Sequence, residues 1–109
     1  MKVNYIAGMI VACWSTLALA EEWSPVAANV TEINAGYTDG MILFNAGDTH
    51  NPGGCAASHY AAHPDYADTK DILSLLLYAK ATNSKVRIAV SQTECGAWGY
   101  PKVTRIKLL

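Results

Sequence analysis

Three histidines, one serine beside one of them, and a scatter of carboxylates are the side chains that could do acid–base or metal chemistry. His59 and His63 stand four apart, but Pro64 follows at once and no helical pattern spans both. With His50 they lack the ligand spacing of a metal site and read as neutral loop histidines. Ser58 and His59 are chain neighbours, whereas nucleophile and base normally meet in space rather than in sequence. Glu32, Asp39 and Glu94 are dispersed along the chain, so a carboxylate pair for glycoside hydrolysis is not indicated. These residues predict a protein that is not an enzyme and holds no metal or cofactor.

The aromatic residues are more informative. Tyr37, Tyr60, Trp98 and Tyr100 are candidate ligand-binding residues, because ligand sites combine apolar faces with a few polar groups. Trp98 lies between Gly96 and Gly99, close to Cys95. An exposed Trp in a stapled loop would make a binding platform. In the competing reading Trp98 and Tyr100 close one end of the core, since aromatic residues dominate small cores.

The address comes from the first twenty residues. Lys2 is followed by a mostly apolar run over residues 5–17, and Ala18-Leu19-Ala20 has the small-x-small form of a cleavage site. This predicts a signal peptide over 1–20, a single binding domain over 21–109, and a secreted or periplasmic location. A membrane anchor would need roughly 20 apolar residues, so no span is expected after cleavage. Ile10-Val11-Ala12-Cys13 also resembles a lipobox, which would make the protein a lipoprotein through Cys13.

Cleavage would leave seven basic and nine acidic side chains. That balance gives no reason to expect nucleic acid, which calls for a basic patch. It would also leave Cys55 and Cys95 as an even pair, and in an oxidising compartment a disulfide is the default expectation.

The elements that must position these residues follow from periodicity. Residues 26–35 read as a first strand, with Val26, Ala28 and Val30 inward and Ile33 inward after a register break. Asp39-Gly40 signals a hairpin. Met41-Ile42-Leu43-Phe44 is an unbroken apolar run, so that strand is buried on both faces or meets another subunit. Residues 45–54 form a loop and 55–61 a third strand. A helix opens at Pro64, with Asp65, Asp68 and Asp71 near its positive end, and stops at Thr82-Asn83-Ser84. Residues 85–91 make a fourth strand, 92–99 a loop and 100–108 a fifth strand. Ile72, Leu75, Leu76 and Ala79 belong to an apolar arc that is either a core-facing stripe or an oligomer interface.

Three strands, one helix and two strands suit a mainly β fold: a five-stranded OB-fold barrel with the helix between strands 3 and 4 and one disulfide. Glu22-Trp23, the helix running into Asn83-Ser84-Lys85-Val86-Arg87-Ile88, and Tyr100-Pro101-Lys102-Val103 resemble the B subunits of pertussis-like one-A, five-B bacterial toxins, nearest the subtilase cytotoxin and typhoid toxin type. The resemblance implies a secreted, non-catalytic subunit that forms a homopentamer, recognises cell-surface glycans and carries a catalytic A subunit. The chain departs from that pattern after Val86-Arg87-Ile88. Ala89-Val90 stands where the family has aromatic residues of its sialic-acid pocket, so the pocket does not carry over.

Overall fold

The computed structural model describes residues 21–109. The predicted signal peptide and Cys13 lie outside the described residues. The order is β1 (Glu21–Trp23), β2 (Ala28–Asn34), β3 (Ile42–Ala46), β4 (Tyr60–Ala62), helix α1 (Thr69–Thr82), β5 (Lys85–Cys95), a single 3-10 turn (Ala97–Gly99) and β6 (Pro101–Leu108).

The strands form one six-stranded mixed sheet in the order β1-β5-β2-β3-β4-β6, and β5 also pairs with β6. Five strands therefore close into a ring of pairings, yet the ring is not a barrel. Its weak joints give the reason. β4 meets β6 through one parallel pairing, Ala61 with Lys102, and β2 meets β5 only at Ala28–Val86 and Asn29–Lys85. A barrel needs ladders with a consistent stagger all the way round. The expectation of a five-stranded OB-fold barrel is thus corrected. The sheet has a sixth strand, β1, paired along the outer part of β5 through Glu21–Ser91 and Trp23–Ala89.

Alternation builds the core. Val86, Ile88 and Val90 of β5 point inward with Val103 and Ile106 of β6, Ile42 and Phe44 of β3, and Val30 of β2. The break in β2 falls between Val30 and Glu32, where its register against β3 shifts. Ile33 then comes back towards the core. Val26 does not join them; it lies outside β2 and is exposed.

Ile72, Leu76 and Ala79 form one helical stripe, and all three are buried in the same cluster, with Leu75 partly buried against it. Leu75 keeps part of its surface, and Ile72, Leu76 and Ala79 are thus core side chains of a single copy. Burying each of the larger two contributes roughly 1.5–3 kcal/mol.

The helix starts five residues later than its sequence suggests. His63 to Ala67 form a turn, with the Ala67 and Tyr66 N–H groups donating to the His63 carbonyl at 3.0 and 3.1 Å. Asp68 is the N-cap, its side chain accepting from the Asp71 N–H at 3.2 Å. Aspartate at this position satisfies a donor that has no partner within the helix. At the other end Asn83 takes the left-handed conformation (φ 56°), and its N–H donates to the Ala79 carbonyl. Asparagine tolerates this geometry better than most residues.

β3 is covered on both sides. Ile42 and Phe44 enter the main core, while Met41 and Leu43 join Ala61 in a second cluster on the outer face of β3 and β4. Partly buried Tyr37, Ala97 and Tyr100 pack against this cluster. The unbroken apolar run is thereby explained without a second subunit.

Candidate functional site

That outer cluster is the floor of the site. Three segments converge over it: the end of the loop before β3 (Tyr37), the 3-10 turn (Ala97–Gly99) and the start of β6 (Tyr100).

The turn is fastened at several points. Cys55 and Cys95 form the expected disulfide, with Cα atoms 5.6 Å apart. Asn51 braces the first cysteine by donating to its carbonyl at 2.6 Å and accepting from its N–H at 2.8 Å. The Ala56 N–H donates to the Gly99 carbonyl at 2.9 Å. The Gly96 N–H donates to the Tyr100 carbonyl, closing the turn on itself. Gly96 is required by close approach: a Cβ there would collide with the Tyr66 hydroxyl and sit 2.9 Å from Lys102 Cα. Tyr66 Oη accepts from the Ala97 N–H at 3.2 Å and donates to the Ala61 carbonyl at 3.3 Å. Burial pushes the Tyr66 phenol above its ordinary value, and the Ala97 N–H opposes that shift.

Trp98 sits at the top of this turn, 65% exposed, with φ 57° and ψ 20°. A bulky residue in the left-handed region costs roughly 1–2 kcal/mol relative to an unstrained conformation. The edge of its ring meets Tyr37, with centroids 5.4 Å apart and planes at 83°. Beside them Tyr100 packs 5.5 Å from the imidazole of His59. The result is a ridge of Tyr37, Trp98, Tyr100 and His59 on an apolar floor.

Tyr60 is not part of it. Its side chain is 1% exposed, stacks on Phe44 at 5.2 Å, and its hydroxyl accepts from the His50 N–H at 2.6 Å. Of the four aromatic candidates, the structure brings three together and places Tyr60 on the opposite, core-facing side of β4. The alternation of side chains along a strand separates it from its neighbour Ala61.

His59 was read from sequence as a loop histidine, but its surroundings are ordered. Glu32 Oε2 lies 3.3 Å from His59 Nε2, and Ser58 Oγ lies 3.2 Å from Nδ1. Asn34 and Asn45 donate to the Glu32 carboxylate at 2.6 and 3.1 Å. Asn34 first, then His59, holds that carboxyl below its ordinary value. Both ring nitrogens are thus engaged, so the array fixes the orientation of His59 at the edge of the ridge. It lies on an open strand face, with Ser58 exposed, and the clefts of the surface are lined by other residues. One, of about 430 Å³, runs between the N-terminus of α1 and the β2–β3 hairpin and is lined by Ala35, Met41, Pro64 and Leu73 among others.

The other two histidines are scattered. His50 faces Glu22 at 2.9 Å and His63 faces Asp39 at 3.3 Å, each at a different joint between elements. Among the described residues no group of three or more His, Cys, Asp or Glu side chains gathers to hold a metal ion.

Sequence reasoning missed Tyr66, and it named Glu32 and Gly96 without joining them to the site. Gly96 is the first of the two glycines that bracket Ala97-Trp98. Tyr66 and Glu32 reach the site from distant stretches, through folding alone.

No family model, curated protein or solved structure matches the chain. Together with the ring that does not form a barrel, this overturns the resemblance to pertussis-like toxin B subunits. The glycan-binding, pentameric reading built on that resemblance falls with it.

Proposed function

We propose that this chain is an exported recognition module that holds a partner protein on the Tyr37–Trp98–Tyr100 ridge and carries out no covalent chemistry. One observation carries the reading. Trp98 is well exposed, yet its backbone is strained and its turn is fastened from three sides. The edge contact with Tyr37 does not exceed that strain, and strain retained at an exposed residue points to a binding role.

A protein fits this ridge better than a small molecule does. Small ligands favour concave pockets, and Trp98 stands proud of the surface. Protein interfaces draw most of their energy from a few Trp, Tyr and Arg anchors surrounded by neutral contacts. Preorganisation by the disulfide lowers the ordering cost at binding. The disulfide and the signal-like start both support an oxidising, extracytoplasmic location.

The test is affinity capture from the extracytoplasmic fraction of the producing cell, with wild type and Trp98→Gly side by side. A retained protein that is lost with Trp98→Gly supports the reading. Retention unaffected by the substitution, when both variants are folded, overturns it.

A further inference from the structure

A second surface lies at the other end of the β5–β6 ribbon, roughly 25 Å away along β5 from Cys95. Val86, Ile88 and Val90 take the core positions of β5, so Lys85, Arg87 and Ala89 lie on the other face, exposed, half-buried and buried in turn. Across the ladder Arg87 is directly paired with Lys107, and Ala89 with Arg105. Trp23 of β1 pairs with Ala89 from the other side. The outer face therefore gathers Lys85, Arg87, Lys107 and Arg105 around Trp23, in a chain whose overall balance is acidic.

These cations are not equivalent. Arg105 is paired with Glu21, and Lys102, further along β6, with Glu94 at 2.8 Å. Among the described residues no carboxylate pairs with Lys85, Arg87 or Lys107. Arg87 Nε is buried and has no hydrogen-bond partner. Lys107 Nζ lies 4.7 Å from the centroid of the Trp23 ring. Two like charges directly opposite on neighbouring strands oppose folding. A buried guanidinium nitrogen without an acceptor does so as well. The like-charge opposition of Arg87 and Lys107 is relieved if an anionic group lies over the pair.

We propose that the Lys85–Arg87–Lys107 face, with Trp23, docks a short acidic segment of a partner protein in extended conformation. Lys85 and Arg87 are two residues apart on one strand, so their side chains repeat at roughly 7 Å. That is also the repeat of same-side carboxylates on an extended peptide. One carboxylate of the segment spans Arg87 and Lys107, the next reaches Lys85, and Trp23 offers an apolar surface beside them. Glu21, paired with Arg105, borders this positive surface and limits it to three cations without a carboxylate partner among the described residues, which favours a segment of a few residues.

The probe is an eight-residue peptide of alternating Glu and Ser, titrated into isotopically labelled protein with its Lys-Ser counterpart as control. The expected result is shift changes at Lys85, Arg87, Lys107 and the Trp23 indole, with the Trp98 turn unmoved. Binding weakens as salt shortens the Debye length below about 10 Å. Lys107→Glu places a carboxylate opposite Arg87, so the fold is retained and affinity drops by roughly tenfold or more. Arg87→Lys keeps the charge and loses less. The proposal is overturned if the peptide leaves these residues unmoved or if Lys107→Glu binds as well as wild type. Tighter binding of inorganic phosphate or phosphatidylserine vesicles than of the peptide overturns it too. Trp98→Gly leaves this binding unchanged, so this face and the aromatic ridge fail or stand separately.

Discussion

Replacing Trp98 by glycine and by alanine gives an ordering that only a strained, exposed residue would produce. Both variants lose the edge contact with Tyr37, worth roughly 0.5–1.5 kcal/mol beyond area burial. Only glycine removes the strain at φ 57°, a relief of roughly 1–2 kcal/mol. Part of that relief is offset by the greater freedom of glycine in the unfolded chain, about 0.4–1 kcal/mol. Trp98→Gly should therefore fall within about 1 kcal/mol of wild type, and Trp98→Ala should be less stable than the glycine variant by about 1 kcal/mol. In helices and strands the order is the reverse. A Trp truncated in a core would cost roughly 3–5 kcal/mol instead. Urea unfolding of the three proteins measures these differences. In a domain of this size about 1 kcal/mol moves the thermal midpoint by roughly 4–8 °C. An alanine variant as stable as the glycine variant would refute the left-handed strain. A loss above about 3 kcal/mol in both would show that Trp98 is a packing residue and would remove the basis for a binding ridge.

The helix offers an equally direct contrast: Leu76→Ala, at a fully buried position, should cost roughly 2–5 kcal/mol, whereas Leu77→Ala, 54% exposed, should cost under about 1 kcal/mol by chemical denaturation. Removing the disulfide with Cys55→Ser and Cys95→Ser opens a loop of 40 residues and should lower stability by about 4 kcal/mol on loop entropy, read by unfolding with and without reductant. Acid should destabilise the fold. Glu21 is held below 4.5 chiefly by its Arg105 hydrogen bond, Glu32 below 4.5 by Asn34, Asp39 below 3.8 by the Met41 N–H, and Glu94 below 4.5 by Lys102. Each binds its proton less readily folded than unfolded, so the stabilisation is complete above the unfolded values and is lost as pH falls through the lower folded ones. Denaturation midpoints measured down to about pH 3 should decline below about pH 4.5, and a stability that rose on acidification would contradict these contacts.

Much of the strand content was legible because alternation survives in the residues themselves. Val86, Ile88 and Val90, and the apolar Met41 to Phe44 run, needed no tertiary knowledge. The start of the helix was harder to read, since Pro64 and Asp65 satisfy local rules for a first turn. Asp68 decides the matter by capping the Asp71 N–H, and the preceding turn folds back on the His63 carbonyl. Ring closure was beyond sequence reading, because it depends on how many residues of β4 reach β6, and only Ala61 does. Strand alternation also decided the fate of Tyr60. A third strand placed at 55–61 gave no reason to separate Tyr60 from the ligand face, whereas the observed β4 turns it inward. At the site, the cysteine pair and the glycines around Trp98 pointed to the turn, but the brace from Tyr66 and the Glu32–His59 contact join residues 31 and 27 positions apart.

The most direct test of the recognition reading is site-specific photo-crosslinking in the producing cell. A photoreactive amino acid at position 37 lies at the edge of the Trp98 ring and samples whatever rests on the ridge. The account predicts a discrete protein adduct in the extracytoplasmic fraction that disappears when Trp98→Gly is combined with the probe. The same adduct at equal yield with and without Trp98, or no adduct from position 37 in a folded protein, would contradict it.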